Sequence, residues 1–294
     1  MQAFVSLPGH PGSVSRGNSR AVVPKAEMAV PANLLIVGPG RLGSRIAKLW
    51  THGEVTGETR TETNHEMLRA GGIKPSTKAK RSKVGYNYVA ITAPPTGNAD
   101  YAKEVADACL AWTGEGAMVF TSATSVYGDA AFEIVNEDTP TIDSGTEKQQ
   151  RLLKAEASVI EAGGTVLRLA GLYDRRVGPH NYWLRSPEIK GNPDTLINMI
   201  HYNDAASLAL AILEAGKDKT RGKFFLGVDD QPLTRREICE AALQDPIYAD
   251  KTIPPFTGLD EPAGKKRLDN SQTRTALNWM PQNSSMQEYF ASQA

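Results

Sequence analysis

The stretch from residue 34 to residue 60 constrains the fold of this 294-residue chain more than any other. A short apolar run, Leu34–Val37, leads directly into a turn from Gly38 to Gly43 that reads Gly-Pro-Gly-Arg-Leu-Gly and fits G-x-G-x-x-G. Residues 44–50 then alternate apolar and basic side chains at helical spacing. A strand, a glycine turn and a helix in this order form the context in which the motif binds a dinucleotide.

Each position of the turn has a predicted role. Gly38 permits the tight turn out of the strand, Gly40 lets a pyrophosphate approach the backbone, and Gly43 lets the helix pack against the strand. Arg41 and Leu42 lie at the predicted start of that helix, where free N–H groups and the positive end of the helix dipole face the phosphates. The alternative is a glycine turn that serves only the fold.

The residues that follow the second predicted strand, 54–59, bear on which cofactor binds. Arg60 stands at the expected carboxyl end of this strand, where a guanidinium can bind a 2′-phosphate, and the Thr61 hydroxyl could add a hydrogen bond. The sequence therefore favours NADP. Glu58 keeps NAD open, because a carboxylate that faces the ribose would accept hydrogen bonds from the 2′-OH and repel a phosphate. Alternation along the strand puts Glu58 and Arg60 on one side, so it does not decide between them.

Strand and helix patterns alternate along the next hundred residues. Apolar runs at 88–93 and 117–121 indicate buried strands, and 165–169 is a further predicted strand. Residues 99–112 and a segment from a capping box at Ser144 to about Ala162 indicate helices. This alternation predicts an α/β fold with a doubly wound parallel sheet, in which ligands bind beyond the carboxyl ends of the strands. Ala93, Pro94 and Ser122, at two such strand ends, are therefore predicted cofactor contacts.

The C-terminal part, residues 174–294, has a looser pattern than the dinucleotide-binding core predicted for residues 33–173. Residues 175–193 indicate a long loop without periodicity, and a helix is predicted over 204–215 with Asp204 as its N-cap. A strand at 223–228 would interleave this part with the core sheet. We expect a small C-terminal cap that binds a small-molecule substrate.

Composition excludes several functional classes. The formal net charge is zero, so no general attraction to nucleic acid or to a membrane surface is expected. No apolar run approaches the roughly 20 residues that span a bilayer. Cys109 and Cys239 are far apart in sequence and are expected to be buried free thiols, and no metal site is expected. The basic run at 73–85 indicates a solvated surface, with an RNA or protein contact as the less favoured alternative.

The first 26 residues differ from the rest of the chain. They contain no acidic residue, three basic residues, several serines and frequent glycine and proline, which is typical of a transit peptide. The lack of a clear Arg-rich amphipathic helix favours a plastid over a mitochondrion, and a disordered cytosolic tail is the alternative. We expect this segment to lie outside the folded domain and to direct the protein to the chloroplast stroma.

Several motifs together carry a resemblance to a known family. They are the glycine turn, Ser122 to Gly128, Leu167 to Tyr173, Asn198 to Ala206, and a tail at 266–270 and 277–281. The chain resembles the extended, epimerase/dehydratase-like short-chain dehydrogenase/reductase superfamily, and most closely its atypical NAD(P)-binding branch of bacteria and plastids. The resemblance implies a Rossmann fold and an NADP-linked oxidoreductase or epimerase acting on a carbonyl or sugar-like substrate.

The chain departs from this family at the catalytic positions. Active members carry Tyr-x-x-x-Lys on the helix after the serine-rich strand, but alignment of this helix puts Lys148 at the tyrosine place and Leu152 at the lysine place. Ala123 takes the place of the usual catalytic Ser or Thr. Tyr127, Thr124 and Lys148 are the residues that could supply acid–base chemistry instead. The alternative is a cofactor-binding protein without turnover that acts in the plastid as an assembly, regulatory or RNA-binding factor.

Overall fold

A computed structural model describes residues 32–98, 100–128 and 133–293. The predicted transit segment, 1–26, lies outside these residues. The strands are β1 (Leu34–Val37), β2 (Val55–Thr59), β3 (Lys74–Thr77), β4 (Tyr86–Ile91), β5 (Trp112–Ala123), β6 (Ile134–Val135), β7 (Thr165–Leu169), β8 (Gly171–Tyr173), β9 (Leu196–Ile197), β10 (Met199–His201), β11 (Phe224–Gly227), β12 (Leu233–Thr234) and β13 (Arg267–Leu268). The helices are α1 (Arg41–Leu49), α2 (His65–Ala70), α3 (Tyr101–Cys109), α4 (Glu147–Glu161), α5 (Pro179–Trp183), α6 (Tyr202–Ala215), α7 (Lys217–Thr220), α8 (Arg235–Ala242), α9 (Ser271–Leu277) and α10 (Met286–Ala291).

Seven of the strands form one sheet in the order β11-β7-β5-β4-β1-β2-β3. Every neighbouring pair in this sheet is parallel. The chain starts near the middle, moves outward through β2 and β3, then crosses back to β4 and continues to β11. This reversal beside β1 is the switch point of a doubly wound sheet, so the predicted fold class is confirmed.

Apolar side chains cover both faces of the central strands. Leu34 and Ile36 of β1 lie in the cluster that α1 and α6 help to form, and Leu35 lies in the cluster on the α3 and α4 side. Successive residues of a strand point to opposite faces, so a strand between two helical layers must be apolar throughout. This is the reason that Leu-Leu-Ile-Val forms the centre of the sheet.

The C-terminal part contributes to the sheet and also forms a layer of its own. Its strand β11 is an edge strand of the main sheet, paired with β7. Three two-stranded ladders, β8 with β10, β9 with β12 and β6 with β13, extend the structure beyond the carboxyl ends of the sheet. A third apolar cluster, which includes Tyr173, Ile238 and Phe290, holds α8 and α10 in this region. No helix in the described part of the chain is both long and apolar enough to cross a bilayer.

Three sequence predictions are wrong in detail, and one strand was not predicted. The capping box of α4 is Thr146 with Gln149, and its start is therefore later than Ser144. Helix α6 begins at Tyr202 with His201 as its N-cap, so Asp204 lies inside it. The predicted loop at 175–193 contains helix α5. The basic run contains strand β3, whose polar residues form the other edge of the sheet.

Candidate functional site

The glycine turn between β1 and α1 has two positions that only glycine can occupy. Gly38 has φ +83°, and a Cβ there would lie 2.6 Å from the backbone Cα of Ala93. A Cβ on Gly43 would lie 2.7 Å from the Thr92 hydroxyl and 2.8 Å from a methyl group of Ile36. The turn is therefore pressed against the strand end of β4, and α1 is pressed against β1. These contacts agree with the roles that the motif predicts for the first and third glycine.

Gly40, unlike Gly38 and Gly43, is not packed against another part of the protein. The nearest atom to a Cβ at this position would be the Gly38 carbonyl oxygen, at 4.0 Å, so the protein itself leaves that space open. Gly40 is the N-cap of α1, and the first turn of α1 contains no acidic residue. The unpaired N–H groups of a helix start and an open approach to the backbone fit a pyrophosphate. Arg41 and Leu42, the predicted phosphate contacts, are the first two residues of this helix.

At the end of β2, the two charged residues Glu58 and Arg60 have different surroundings, so the structure distinguishes them as candidate ribose contacts. The carboxylate of Glu58 is 95% buried and accepts two hydrogen bonds from Arg81, with N–O distances of 2.6 and 2.7 Å. Arg60 is exposed and donates to the carbonyl of Gly97 over 3.2 Å, so its guanidinium spans from β2 to the loop after β4. Thr61 is also exposed, and its hydroxyl contacts that of Thr63. Glu58 is therefore engaged inside the protein, whereas Arg60 is open to a ligand.

The loop after β4 forms the wall next to the glycine turn. The Thr92 hydroxyl donates to the Gly38 carbonyl over 2.7 Å, and the Ala93 carbonyl accepts from Tyr101 over 2.8 Å. Pro94 follows and is exposed. Ala93 and Pro94, both predicted cofactor contacts, thus lie beside the turn at the carboxyl ends of β1 and β4, where doubly wound sheets bind their ligands.

A buried polar network occupies the region next to β5. Ser122 donates to Glu156 over 2.5 Å, and Arg168 donates to Glu156 over 2.7 Å and to the Tyr127 hydroxyl over 3.0 Å. The guanidinium of Arg168 also lies between two aromatic rings, 4.9 Å from the centre of Tyr127 and 4.4 Å from that of Phe224. Each charge in this network has its partner, as a buried charge requires.

This network bears on two predicted site roles. Tyr127 is 1% exposed, and burial raises its pKa although the cationic Arg168 partly opposes the shift. The geometry therefore argues against Tyr127 as an acid–base group. The hydroxyl of Ser122 is directed to Glu156 inside the protein, which argues against a cofactor contact by that hydroxyl. Both residues hold β5, α4 and β7 together.

The two remaining catalytic candidates lie on elements that touch. Thr124 is half-buried in the 3₁₀ turn, Thr124–Tyr127, that follows β5, and Lys148 is exposed in the first turn of α4. The side chain of Gln149 donates to the Ser125 carbonyl over 2.7 Å and so ties the start of α4 to that turn. Leu152, which the sequence alignment puts at the lysine place, is buried in the apolar cluster on this face.

The basic run at 73–85 is largely neutralised by acidic partners. Its ion pairs are Lys74 with Glu54 at 3.1 Å, Lys78 with Asp107 at 2.8 Å, Lys80 with Glu62 at 2.7 Å and Arg81 with Glu58 at 2.6 Å. Two of these partners lie on β2 and α3, and Glu54 and Glu62 lie in the loops on either side of β2. This arrangement favours the solvated-surface interpretation, because a nucleic-acid site needs positive charge that phosphates can neutralise.

Comparisons with known proteins place this geometry in a structural class. No family model matches the chain, and no curated protein matches it. Three similar solved structures are a functionally unknown conserved protein from Silicibacter pomeroyi, a UDP-glucuronic acid 4-epimerase from Bacillus cereus and a UDP-Glc/GlcNAc 4-epimerase from Campylobacter jejuni. Their identities to this chain are 20%, 16% and 15%, and their TM-scores are 0.72, 0.70 and 0.71.

The similarity extends over nearly the whole fold. The alignments cover 89%, 88% and 89% of this chain and 98%, 96% and 98% of the three structures. The chain has the fold of the extended short-chain dehydrogenase/reductases. The Bacillus cereus epimerase was solved with UDP-glucuronic acid and NAD. The resemblance that the sequence motifs predict is thus confirmed at the level of the fold.

Proposed function

We propose that this protein binds a nicotinamide dinucleotide in the cleft formed by the glycine turn, the end of β2 and the loop after β4. The observation that carries the proposal is the contrast between Gly38 and Gly40. Packing against Ala93 requires the first glycine, whereas the second faces space that the protein leaves open at the start of α1. Structures of the same fold that contain NAD support this proposal.

We further propose that the preferred cofactor is NADP(H). A carboxylate at the ribose would select NAD, but Glu58 is buried and its charge is satisfied by Arg81. Arg60 presents an exposed guanidinium at the same strand end, held toward the loop after β4 by its bond to Gly97. A guanidinium binds phosphate through two hydrogen bonds, which a ribose 2′-OH cannot match.

Fluorescence or calorimetric titration of NADPH and NADH tests both parts of the proposal. Wild type should bind NADPH at least about tenfold more tightly than NADH, a difference of about 1.4 kcal/mol. Arg60→Ala should remove most of this difference and leave NADH binding unchanged. Arg69→Ala, at an exposed site on α2, is the matched charge control and should retain the preference.

Failure can take two distinguishable forms in this experiment. Absence of binding of either cofactor to the folded wild type would overturn cofactor binding itself. Equal affinities in the wild type, or a preference that survives in Arg60→Ala, would leave cofactor binding intact and overturn the role of Arg60.

The second candidate function is hydride transfer to or from a carbonyl or sugar-like substrate. The observation in its favour is that Thr124 and Lys148 lie on two elements tied together by Gln149, on the side of the sheet where the fold places its ligands. The bound cofactor would supply the hydride, while Thr124 would orient the substrate and the Lys148 ammonium would stabilise or donate a proton to its oxygen. Tyr127 takes no part in this chemistry.

Consumption of NADPH in the presence of a panel of carbonyl and nucleotide-sugar substrates tests the second candidate. We expect Lys148→Ala and Thr124→Ala to reduce turnover by about tenfold or more while cofactor affinity stays constant. Lys154→Ala, in the same helix, is the control for general loss of positive charge. Cofactor binding without turnover on the whole panel would favour the alternative, a cofactor-binding assembly or regulatory factor with a plastid protein partner.

We also propose that residues 1–26 direct the protein to the chloroplast stroma. The support is their composition, with three basic and no acidic residues. A fluorescent reporter fused to this segment should accumulate in chloroplasts, and the same reporter without it should not. Import into mitochondria, or a reporter that stays in the cytosol, would contradict the proposal.

A further inference from the structure

A pocket in the C-terminal part of the chain lies between the segment that follows α5 and a loop near residue 250. Its lining consists of residues 184–187 on one side and residues 250–255 on the other, and we call it the Arg185 pocket. Its volume is about 500 Å³, within the range of about 300–1,000 Å³ that is typical of small-molecule sites. The lining includes no residue of the glycine turn, the end of β2 or the loop after β4, so the pocket is separate from the proposed cofactor cleft.

Backbone hydrogen bonds and apolar packing fix the two walls of the Arg185 pocket relative to each other. The N–H of Ile189 donates to the Pro255 carbonyl over 2.9 Å, and the N–H of Thr257 donates to the Ile189 carbonyl over 3.0 Å. Leu184 is buried in the apolar cluster that holds α8 and α10, and Ile253 packs against the same cluster. The pocket is therefore built into the C-terminal part and does not arise from exposed side chains alone.

Arg185 is a cation without a partner in this pocket. Its side chain is exposed, and it makes neither an ion pair nor a hydrogen bond with any described residue. Asp250 stands on the opposite wall but pairs with Lys251 over 2.9 Å; Lys251 is the main cause that lowers the pKa of Asp250, and the charge of Arg185 contributes. Burial raises the pKa of Tyr248, and Arg185 opposes this shift. The guanidinium therefore lies near the wall that contains Asp250, with its N–H groups unbonded.

The side chains of the lining offer more hydrogen-bond donors than acceptors. A guanidinium carries five N–H donors, and no described residue accepts from those of Arg185. An ammonium carries three, of which Lys251 uses one on Asp250, and Thr252 adds an exposed hydroxyl. Asp250 is the only acidic residue of the lining, and the exposed Glu188 lies outside it. A phosphate group, which presents three strong acceptor oxygens, matches such a lining better than a neutral or cationic ligand does.

The charges around the pocket favour a dianion. Arg176, in the turn after β8, is exposed, and its side chain also has no ion-pair partner in the described part of the chain. Like Arg185, it lies close enough to Tyr248 for its charge to oppose the rise in pKa that burial causes. The buried carboxylate of Asp245 is bound by Arg175 at 2.6 and 2.8 Å and is therefore engaged elsewhere. Two positive charges thus remain uncompensated, whereas the basic run described above is largely neutralised.

We propose that the Arg185 pocket binds the phosphate group of a small phosphomonoester, with Arg185 as the main contact and Lys251 and Thr252 as additional donors. A guanidinium can bind two phosphate oxygens through parallel hydrogen bonds. Arg176 increases the positive potential at the pocket and so attracts a dianion. The volume beyond one phosphate leaves room for an attached group of sugar size. The site does not depend on the proposed cofactor cleft, because the two share no residue.

Calorimetric titration of the full-length protein with ribose 5-phosphate and glycerol 3-phosphate tests the proposal, with ribose and glycerol as neutral controls. At least one ester should bind with a dissociation constant in the millimolar range or below, and the neutral controls should not bind. The same ester should bind at least about threefold more tightly than inorganic phosphate, because the pocket has room for the attached group.

Two arginine variants locate the binding site. Arg185→Ala should weaken binding of the ester by about tenfold or more. Because Arg185 is exposed and unpaired, this change should leave the urea midpoint of unfolding unchanged. Arg60→Ala, which removes an exposed arginine from the proposed cofactor cleft, is the matched control and should keep the ester affinity within about twofold of the wild type.

Three results would overturn the proposal. The first is absence of binding of both esters at about 10 mM, and the second is equal ester affinity in Arg185→Ala and the wild type. The third is binding that Arg60→Ala removes and Arg185→Ala retains, since the phosphate would then occupy the cofactor cleft. Inorganic phosphate that binds as tightly as the esters would contradict an organic ligand. Titration with NADPH and NADH is a separate measurement, so failure of the cofactor proposal is distinguishable from failure of this one.

Discussion

The buried network around Arg168 leads to the most specific prediction about stability. Glu156 is 3% exposed and accepts hydrogen bonds from Ser122 and from two nitrogens of Arg168. Replacement of Glu156 with Gln keeps the shape of the side chain but removes its charge. The change leaves the guanidinium of Arg168, itself 5% exposed, without a counter-ion.

The expected magnitude follows from the burial of both charges. Removal of one partner of a buried ion pair costs about 3–5 kcal/mol, because the other charge stays buried and uncompensated. Tyr127→Phe removes only one neutral acceptor from Arg168 and should cost about 1–3 kcal/mol. The two variants should therefore differ in the free energy of unfolding by about 2 kcal/mol, with Glu156→Gln the less stable.

Urea denaturation monitored by circular dichroism measures both free energies, and cofactor titration on the folded variants provides the second readout. Tyr127→Phe should retain wild-type cofactor affinity and any wild-type turnover, because its hydroxyl is buried against Arg168. A loss below about 1 kcal/mol in Glu156→Gln would refute the argument that Arg168 depends on this carboxylate. A Tyr127→Phe variant of normal stability with turnover reduced tenfold would refute the structural role of Tyr127 and restore its predicted acid–base role.

Three further predictions concern single positions. Gly38→Ala should destabilise the fold by about 2 kcal/mol or more in chemical denaturation, because its φ of +83° and the contact with Ala93 exclude a Cβ. Burial lowers the pKa of His180 from 6.5 to about 4. Between these two pH values, the imidazole is therefore protonated in the unfolded chain and neutral in the folded chain. The free energy of unfolding should thus fall by up to about 3 kcal/mol between pH 6.5 and about pH 4, and His180→Gln should reduce that fall. Burial raises the pKa of Asp229 to about 8. The protonated carboxyl group therefore stabilises the folded state at low pH, and this stabilisation is lost as the pH rises to about 8. In denaturation experiments across this range, the free energy of unfolding of Asp229→Asn relative to that of the wild type should rise with pH by at most about 1.4 kcal/mol per pH unit.

The central strands and the glycine turn could be predicted because their signals are local. Strand β1 is buried and its sequence, Leu-Leu-Ile-Val, is entirely apolar, while β4 and β7 are mostly buried and mostly apolar, so apolar residues mark these strands in the sequence. The turn is a contiguous motif whose glycines have separate steric reasons. Strand β3 was missed because an edge strand needs no apolar run, and its sequence, Lys-Pro-Ser-Thr, is mostly polar.

The polar contacts of the site could not be predicted, because they join residues far apart in the chain. Glu58 and Arg81 are 23 positions apart, and Arg168 and Tyr127 are 41 positions apart. The sequence shows a carboxylate near the expected ribose and a tyrosine near the expected nicotinamide, but not the arginines that hold them inside the protein. The alternation of side chains along β2 predicts that Glu58 and Arg60 lie on the same side of the strand. Only the ion pair with Arg81 shows that Glu58 is not open to a ligand.

Cofactor titration of a Gly40→Val variant tests the central claim most directly. A Cβ at Gly40 would lie no nearer than 4.0 Å to any atom beyond the adjoining residues and helix backbone, so we expect the free energy of unfolding to stay within about 1 kcal/mol of the wild type. The same side chain would occupy the space assigned to the pyrophosphate, and we expect NADPH affinity to fall by at least about tenfold. A folded Gly40→Val protein that binds NADPH as tightly as the wild type would show that the cofactor does not bind at this turn.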